Sequence, residues 1–235
     1  MSKPAQAQWE RFQEYYGHFD KLDLAIDLSR VNFPGNYFQK MKGPIDRAFA
    51  AMDALEAGAV ANPDEKRRVG HYWLRTPKLA PDPKIRREIP RTVGKIKAFA
   101  HAVHAGKIKG ARGRFEHLLV IGIGGSALGP QFVAKALGHP ATDRLIPHFF
   151  DNTDPDGMDQ VLAGLQGKLA RTLCLVISKS GGTPETRNGM LEAKAAYTRV
   201  RLRFEKHAVA ITMAGSQLEQ LAVADGWLDR FPMWD

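Results

Sequence analysis

Apolar residues recur along this chain in two rhythms. Up to about residue 115 they fall three and four apart. In "GPIDRAFAAMDALEAG" (43–58), Ile45, Phe49, Met52 and Leu55 mark one face of a helix, with Pro44 in its first turn and Gly58 as its stop. "TVGKIKAFAHAVHAG" (92–106) repeats the pattern with Val93, Ile96, Phe99 and Val103 and stops at Gly106. Between them "RTPKLAPDPKIRREIP" (75–90) holds four prolines and reads as an extended connector. From residue 117 the rhythm changes to short apolar runs: "HLLVIGIG", "LIPHFFDN", "TLCLVISKS" and "HAVAITM". Helical patterns follow each run, and Ser216 with Glu219 has capping-box spacing before the last of them. Strands apolar on both faces that alternate with helices predict a parallel, doubly wound sheet with right-handed crossovers. The expected organisation is a helical N-terminal region (1–115) followed by an α/β domain (116–235).

Composition adds a compartment and a charge asymmetry. A chain of 235 residues can bury a sizeable core as one or two domains. No apolar stretch approaches the roughly 20 residues of a membrane span, and "MSKPAQAQWERFQEYY" shows no secretory h-region. Cys174 is the single cysteine and has no partner for an internal disulfide. A cytoplasmic protein without a membrane partner is expected. The net charge of +9 arises in residues 1–116, where 22 Lys and Arg face 13 Asp and Glu, since the remainder carries 12 of each. Residues 84–114 hold ten basic side chains and one acid. No aromatic ladder or zinc-finger spacing accompanies them, so nucleic acid is not the expected partner. A solvated helix face and attraction of a phosphorylated small molecule stay open. His101 and His104 stand one helical turn apart with no third ligand nearby, so no metal is expected.

Candidate chemistry gathers at two strand ends. "IGIGGSALGP" (121–130) packs four glycines where the first strand gives way to a helix. Glycine there lets backbone approach a ligand, and the helix N-terminus offers N–H groups to an anion. Gly122, Gly124 and Ala127 also fit a relaxed dinucleotide-binding pattern, and Asp151 stands where that pattern wants an acid for a ribose. The third strand leaves through "ISKSGGTPET" (177–186), a loop of hydroxyls and glycines ahead of a helix. Thr183 as N-cap with Pro184 at N1 would explain that threonine, but not Ser178 or Ser180. A sugar carrying one phosphate accounts for both loops, one holding the phosphate and the other the sugar.

"VIGIGGSALGP" and "VISKSGGTPET" resemble the two signature loops in the N-terminal half of the glucose-6-phosphate isomerase (phosphoglucose isomerase) family. "VGHYWLRTPKLAP", "FFDNTDPDGMDQVL" and "FPMWD" resemble that family too, in the same order, from roughly residue 40 onward. The resemblance implies a sugar-isomerase (SIS) domain with a flavodoxin-like parallel sheet flanked by helices. It implies glucose 6-phosphate and fructose 6-phosphate as ligands, no cofactor, and a homodimer at full length. By motif position Gly125 and Ser126 would contact the sugar. Ser178, Lys179, Ser180 and Thr183 would line the phosphate pocket, with Gly181 and Gly182 supplying close backbone. Glu185 matches a family carboxylate beside the ring-opening machinery; an acid in the first turn of a helix explains it equally. Gly182 and Pro184 stand where bacterial relatives often have Thr and Leu, and Ala127 where many have Asp. The family's glutamate base, ring-opening histidine and a lysine lie in a second SIS domain with no counterpart here. The expectation is a fragment, a truncated product or one half of a split enzyme, able to pair with a complementary C-terminal half. A non-catalytic sugar-phosphate-binding SIS module is the alternative, and a nicotinamide-dependent oxidoreductase comes behind it.

Overall fold

The computed structural model describes residues 3–64 and 66–234. They divide into two compact units, the first running to Ala54 and the second starting at Leu55. In the first, α1 (Lys3–Tyr15) leads into an antiparallel hairpin of β1 (Tyr16–Phe19) and β2 (Leu24–Asp27). α2 (Tyr37–Glu56) then carries the chain across the boundary. Arg11 ties this unit together. Its guanidinium donates to the carbonyls of Ser29 and Val31 at 2.7 and 2.8 Å and lies over the rings of Tyr15 and Phe33.

α2 begins seven residues before Pro44, which therefore lies inside the helix rather than in its first turn. Proline there removes one backbone hydrogen bond. Aromatic packing offsets that loss: Tyr37 and Phe38 meet Phe33 at 5.5 and 5.1 Å, and Phe38 stacks on Tyr15. Ile45, Phe49 and Met52 do share a helix, but all three are exposed.

The second unit opens with a short hairpin, β3 (Val60–Asn62) and β4 (Arg67–Arg68), and then α3 (His71–Arg75). α4 (Pro83–His104) starts inside the stretch that reads as a connector. Asp82 caps it by accepting the Lys84 N–H at 2.7 Å, and Pro83 takes N1. Of the four prolines that look like breakers, Pro83 is the helix start and Pro90 lies inside the helix. Lys95 on α4 pairs with Asp229 at 2.5 Å, while His101 and His104 are exposed in its last turn.

The rest alternates strand and helix: β5 (His117–Ile121), α5 (Gly125–Leu137), β6 (Ile146–Phe150), α6 (Pro155–Gly164), β7 (Thr172–Ile177), α7 (Pro184–Arg199), β8 (Ala208–Thr212), α8 (Gln217–Ala224) and β9 (Asp229–Pro232). All four expected strands are present. They form a five-stranded, all-parallel sheet in the order β6-β5-β7-β8-β9, the flavodoxin-like order. The fifth strand, β9, escapes a sequence reading because Arg230 and Pro232 sit in it, and an edge position tolerates both. One sheet face buries Leu119, Ile121, Cys174 and Val176 against Met158 of α6, Met190 and Tyr197 of α7, and Leu218 of α8. The other buries Leu173, Val209 and Phe231 against Val103 of α4. Cys174 is fully buried and donates weakly to Tyr197, whose hydroxyl donates to the Thr172 carbonyl. Burial pushes the thiol up to about 12, so it is inert.

Three histidines of the second unit are held neutral. His117 and His148, on β5 and β6, face each other with ring nitrogens 3.2 Å apart, and His207 meets the Thr172 carbonyl at 2.9 Å. Desolvation lowers all three below the usual 6.5, with Lys168 adding to the effect at the first two. The unfolded chain protonates these rings near pH 6.5, whereas the folded chain protonates them only at lower pH. Their contribution to stability is therefore complete above about 6.5 and is lost as pH falls toward the folded-state values. Thermal unfolding should show Tm falling between pH 7.5 and 5.5. The fall should be shallower in His207→Gln measured against its own pH 7.5 value.

Candidate functional site

The site begins with strand register. In the parallel β5–β7 ladder Ile121 lies opposite Val176, so the chain leaves both strands at the same sheet edge. β6 lies on the far side of β5, which makes the β5/β7 boundary the place where connections diverge and a crevice opens. The glycine turn and the hydroxyl loop occur one on each side of it.

Close approach explains one glycine of the first turn, and backbone conformation explains a second. A Cβ on Gly122 would sit 2.9 Å from the Ser126 Cβ and 3.2 Å from the Ile177 carbonyl oxygen, so only glycine lets this turn press against the end of β7. Gly124, the N-cap of α5, has φ +56° and ψ −128°, a conformation that favours glycine. Gly125 and Ser126 form the first turn of α5, with Gly125 exposed.

The hydroxyl loop is held from within. The Ser178 N–H donates to the Ile211 carbonyl, extending β7 by one ladder bond. Ser178 Oγ lies 2.9 Å from Thr183 Oγ1 and accepts the Gly181 N–H at 3.1 Å, while Ser180 Oγ accepts the Gly182 N–H. The Lys179 carbonyl accepts the Met213 N–H, fastening the loop to the end of β8. Gly181, at φ +72°, rests on α8, where a Cβ would come within 2.6 Å of the Ser216 Cβ.

Helix capping distinguishes the two helices at this crevice from their neighbours along the same sheet edge. Asp154 caps α6 through the Asp156 and Gly157 N–H groups, and Ser216 caps α8 through the Glu219 N–H at 3.1 Å. The capping-box partner is shifted by one residue, since Glu219 accepts from Gly215 at 2.6 Å. α5 and α7, the helices after the two candidate loops, have no side-chain cap. Thr183 holds the N-cap position of α7, but its hydroxyl is turned to Ser178 rather than to the helix. No side chain covers either N-terminus at the crevice: at α5 the Ser126 and Ala127 N–H groups turn to the Ile123 and Gly124 carbonyls, which leaves Gly125, while the first turn of α7 is placed as in sites that bind an oxyanion.

A profile of the phosphoglucose isomerase family matches residues 39–235. The chain belongs to the phosphoglucose isomerase family. It is 59% identical over 229 residues to glucose-6-phosphate isomerase of Geobacter sulfurreducens, covering 97% of this chain and 43% of that protein. The corresponding protein of Citrifermentans bemidjiense is 55% identical over 231 residues, again with 43% of its length covered. The crystal structure of a glucose-6-phosphate isomerase from Chlamydia trachomatis superposes with a TM-score of 0.81 at 25% identity, covering 96% of this chain and 43% of that one. The chain thus spans less than half the length of the family relatives it matches.

A cavity of about 140 Å³ lies between the hydroxyl loop, α7 and α8. Ser178, Gly181 and Thr183 line it, whereas Gly125, Ser126, Lys179, Ser180, Gly182 and Glu185 do not. Glu185 stands half-exposed in the first turn of α7. Asp151 is already engaged: Gln131 donates to one carboxylate oxygen at 2.7 Å and Asn152 to the other at 3.1 Å. Sequence reasoning missed three polar cavity residues, Thr186, Arg187 and Gln217. Gln217 follows the capping serine Ser216, the one nearby signal, and Thr186 looks like any helix threonine until its burial is known.

The close approach at Gly122 gives a direct check. Gly122→Ala should destabilise the chain by about 1–3 kcal/mol through overpacking, read as a lower urea midpoint with an unchanged m-value. Gly125→Ala, where a Cβ would meet nothing within 4 Å, should leave the midpoint near wild type.

Proposed function

We propose that the chain forms the sugar-phosphate-binding part of an enzyme that interconverts glucose 6-phosphate and fructose 6-phosphate. The observation that carries this reading is the pair of uncapped helix N-termini at the β5/β7 crevice, one beside a glycine turn and one beside a hydroxyl loop. In this reading residues 116–235 are the SIS domain. Ser178, Ser180 and Thr183, with backbone N–H groups near Lys179, Gly181 and Gly182, hold the phosphate. Gly125 and Ser126 hold the sugar, and Glu185 is a supporting carboxylate at ring opening. Family membership and the activity for which the relatives are named support the substrate class. Among the described residues no helix is long and apolar enough to cross a membrane.

Aldose–ketose isomerisation moves a proton between C1 and C2 through an enediolate, so it needs a positioned base and stabilisation of the developing oxyanion. This chain contributes orientation and anion binding. The base, the ring-opening histidine and the assembled homodimer belong to the longer family proteins. Two side-chain contacts on Asp151 weaken the nicotinamide alternative, because the acid expected to meet a ribose is held by the protein itself.

Calorimetry should show binding of 6-phosphogluconate or fructose 6-phosphate and poor binding of NAD. Micromolar NAD binding with no response to 6-phosphogluconate would reverse the assignment. Ser178→Ala and Thr183→Ala should each weaken phosphate-ligand binding, by about 0.5–3 kcal/mol for a lost hydrogen bond to a charged group. Purified residues 1–235 should not convert fructose 6-phosphate in a coupled assay, since removing a general base costs about 10²–10⁴-fold and losing part of the cleft also removes orientation. Turnover that disappears in Glu185→Gln would instead make Glu185 the base.

A further inference from the structure

The hydroxyl loop is braced by a buried residue of the neighbouring strand, and the brace has a direction. Thr212, the last residue of β8, is only 3% exposed. Its Oγ1 lies 2.7 Å from Ser216 Oγ and 3.4 Å from the Lys179 carbonyl oxygen. Ser216 Oγ already accepts the Glu219 N–H, and among the described residues Thr212 is the acceptor within reach of its own proton. Both hydroxyl protons are used only if Ser216 donates to Thr212 and Thr212 donates to Lys179. The relay runs from the first turn of α8 to the backbone of the loop.

That carbonyl decides where the next N–H points. It accepts the Met213 N–H at 3.0 Å as well as the Thr212 hydroxyl, so two donors draw it toward β8. The peptide between Lys179 and Ser180 is trans, and its N–H therefore points the opposite way from its C=O. The Ser180 N–H is turned away from β8, toward the side of the sheet on which β5 and the crevice lie. No group among the described residues accepts it.

We propose that Thr212 is a positioning residue for the ligand: its hydroxyl holds the Lys179–Ser180 peptide so that the Ser180 N–H faces the crevice. A bond of 3.4 Å is long and contributes little to the fold by itself. It strengthens when the N–H of the same peptide meets an anion, because a polarised peptide has a better accepting carbonyl. Thr212 therefore acts on binding beyond its effect on folding. Ser216 completes the brace, since Gly181 lies against it and the loop has no room to settle toward α8. This inference rests on the sugar-phosphate reading and adds to it a residue that touches no ligand.

Titration calorimetry of the full chain with fructose 6-phosphate and inorganic phosphate tests this, with the Tm of each variant measured beside it. Thr212→Val should weaken binding of both ligands about three- to tenfold. Thr212→Ser keeps the hydroxyl and should bind as wild type. Asp154→Ala supplies a control matched in stability, because it removes the cap of α6 and leaves the loop untouched. Thr212→Val and Asp154→Ala should each lower Tm by about 2–4 °C, yet only the first should lose affinity. Wild-type affinity in Thr212→Val would overturn the proposal. So would an equal loss in Asp154→Ala, which marks general loosening, or a Thr212→Ser that binds as weakly as Thr212→Val. A wild-type chain that binds neither ligand removes the sugar-phosphate reading, and this inference with it.

Discussion

Parallel pairing of β5 with β7, with Ile121 opposite Val176, determines where every other part of the site can be. It releases two loops of unlike chemistry from adjacent strand ends. The short distance between those ends then selects residue types. Gly122 is required because any Cβ would press on the Ser126 Cβ and the Ile177 carbonyl. The hydroxyl loop cannot relax away, because Lys179 is fastened to β8 and Gly181 lies against the Ser216 cap of α8. The sheet's order is thus converted, through one ladder and a few close contacts, into a fixed spacing between two helix N-termini.

Those N-termini show what the fold leaves unfinished. The capped helices α4, α6 and α8 satisfy their first N–H groups with Asp82, Asp154 and Ser216. A cap of this kind contributes about 1 kcal/mol. α5 and α7 forgo it, although Thr183 is placed where it could cap α7. The same edge of the molecule holds the unpartnered hydroxyl of Thr186. Stability withheld at two helices while their neighbours along the same edge carry side-chain caps is the pattern expected of a binding site.

Much of this was readable from residue order. Unbroken apolar runs such as "TLCLVIS" declare buried parallel strands, and the two glycine-rich loops stand out as the candidate site because each breaks the surrounding rhythm. Other parts were hidden for physical reasons. α4 lies within a proline-rich stretch, and only the Asp82–Pro83 pair marks its true start. α2 carries Pro44 internally because aromatic contacts around Phe33 hold its first turns. The hairpin strands β1 and β2 are four residues each and largely exposed, so burial imposes no pattern on them. Thr183 looks like a cap by spacing, but its hydroxyl has a competing partner in Ser178 five residues away. Thr186 could not be found at all, because an orphaned hydroxyl is a property of packing and not of sequence.

The central claim is that the glycine turn and the hydroxyl loop bind one ligand together. Amide chemical shifts of isotope-labelled chain, followed during titration with fructose 6-phosphate, measure both loops in a single experiment. The account predicts that the amides of Gly125 and Ser126 and those of Ser178 to Thr183 shift along one common saturation curve. Movement confined to one loop, or two loops saturating at different ligand concentrations, would contradict it.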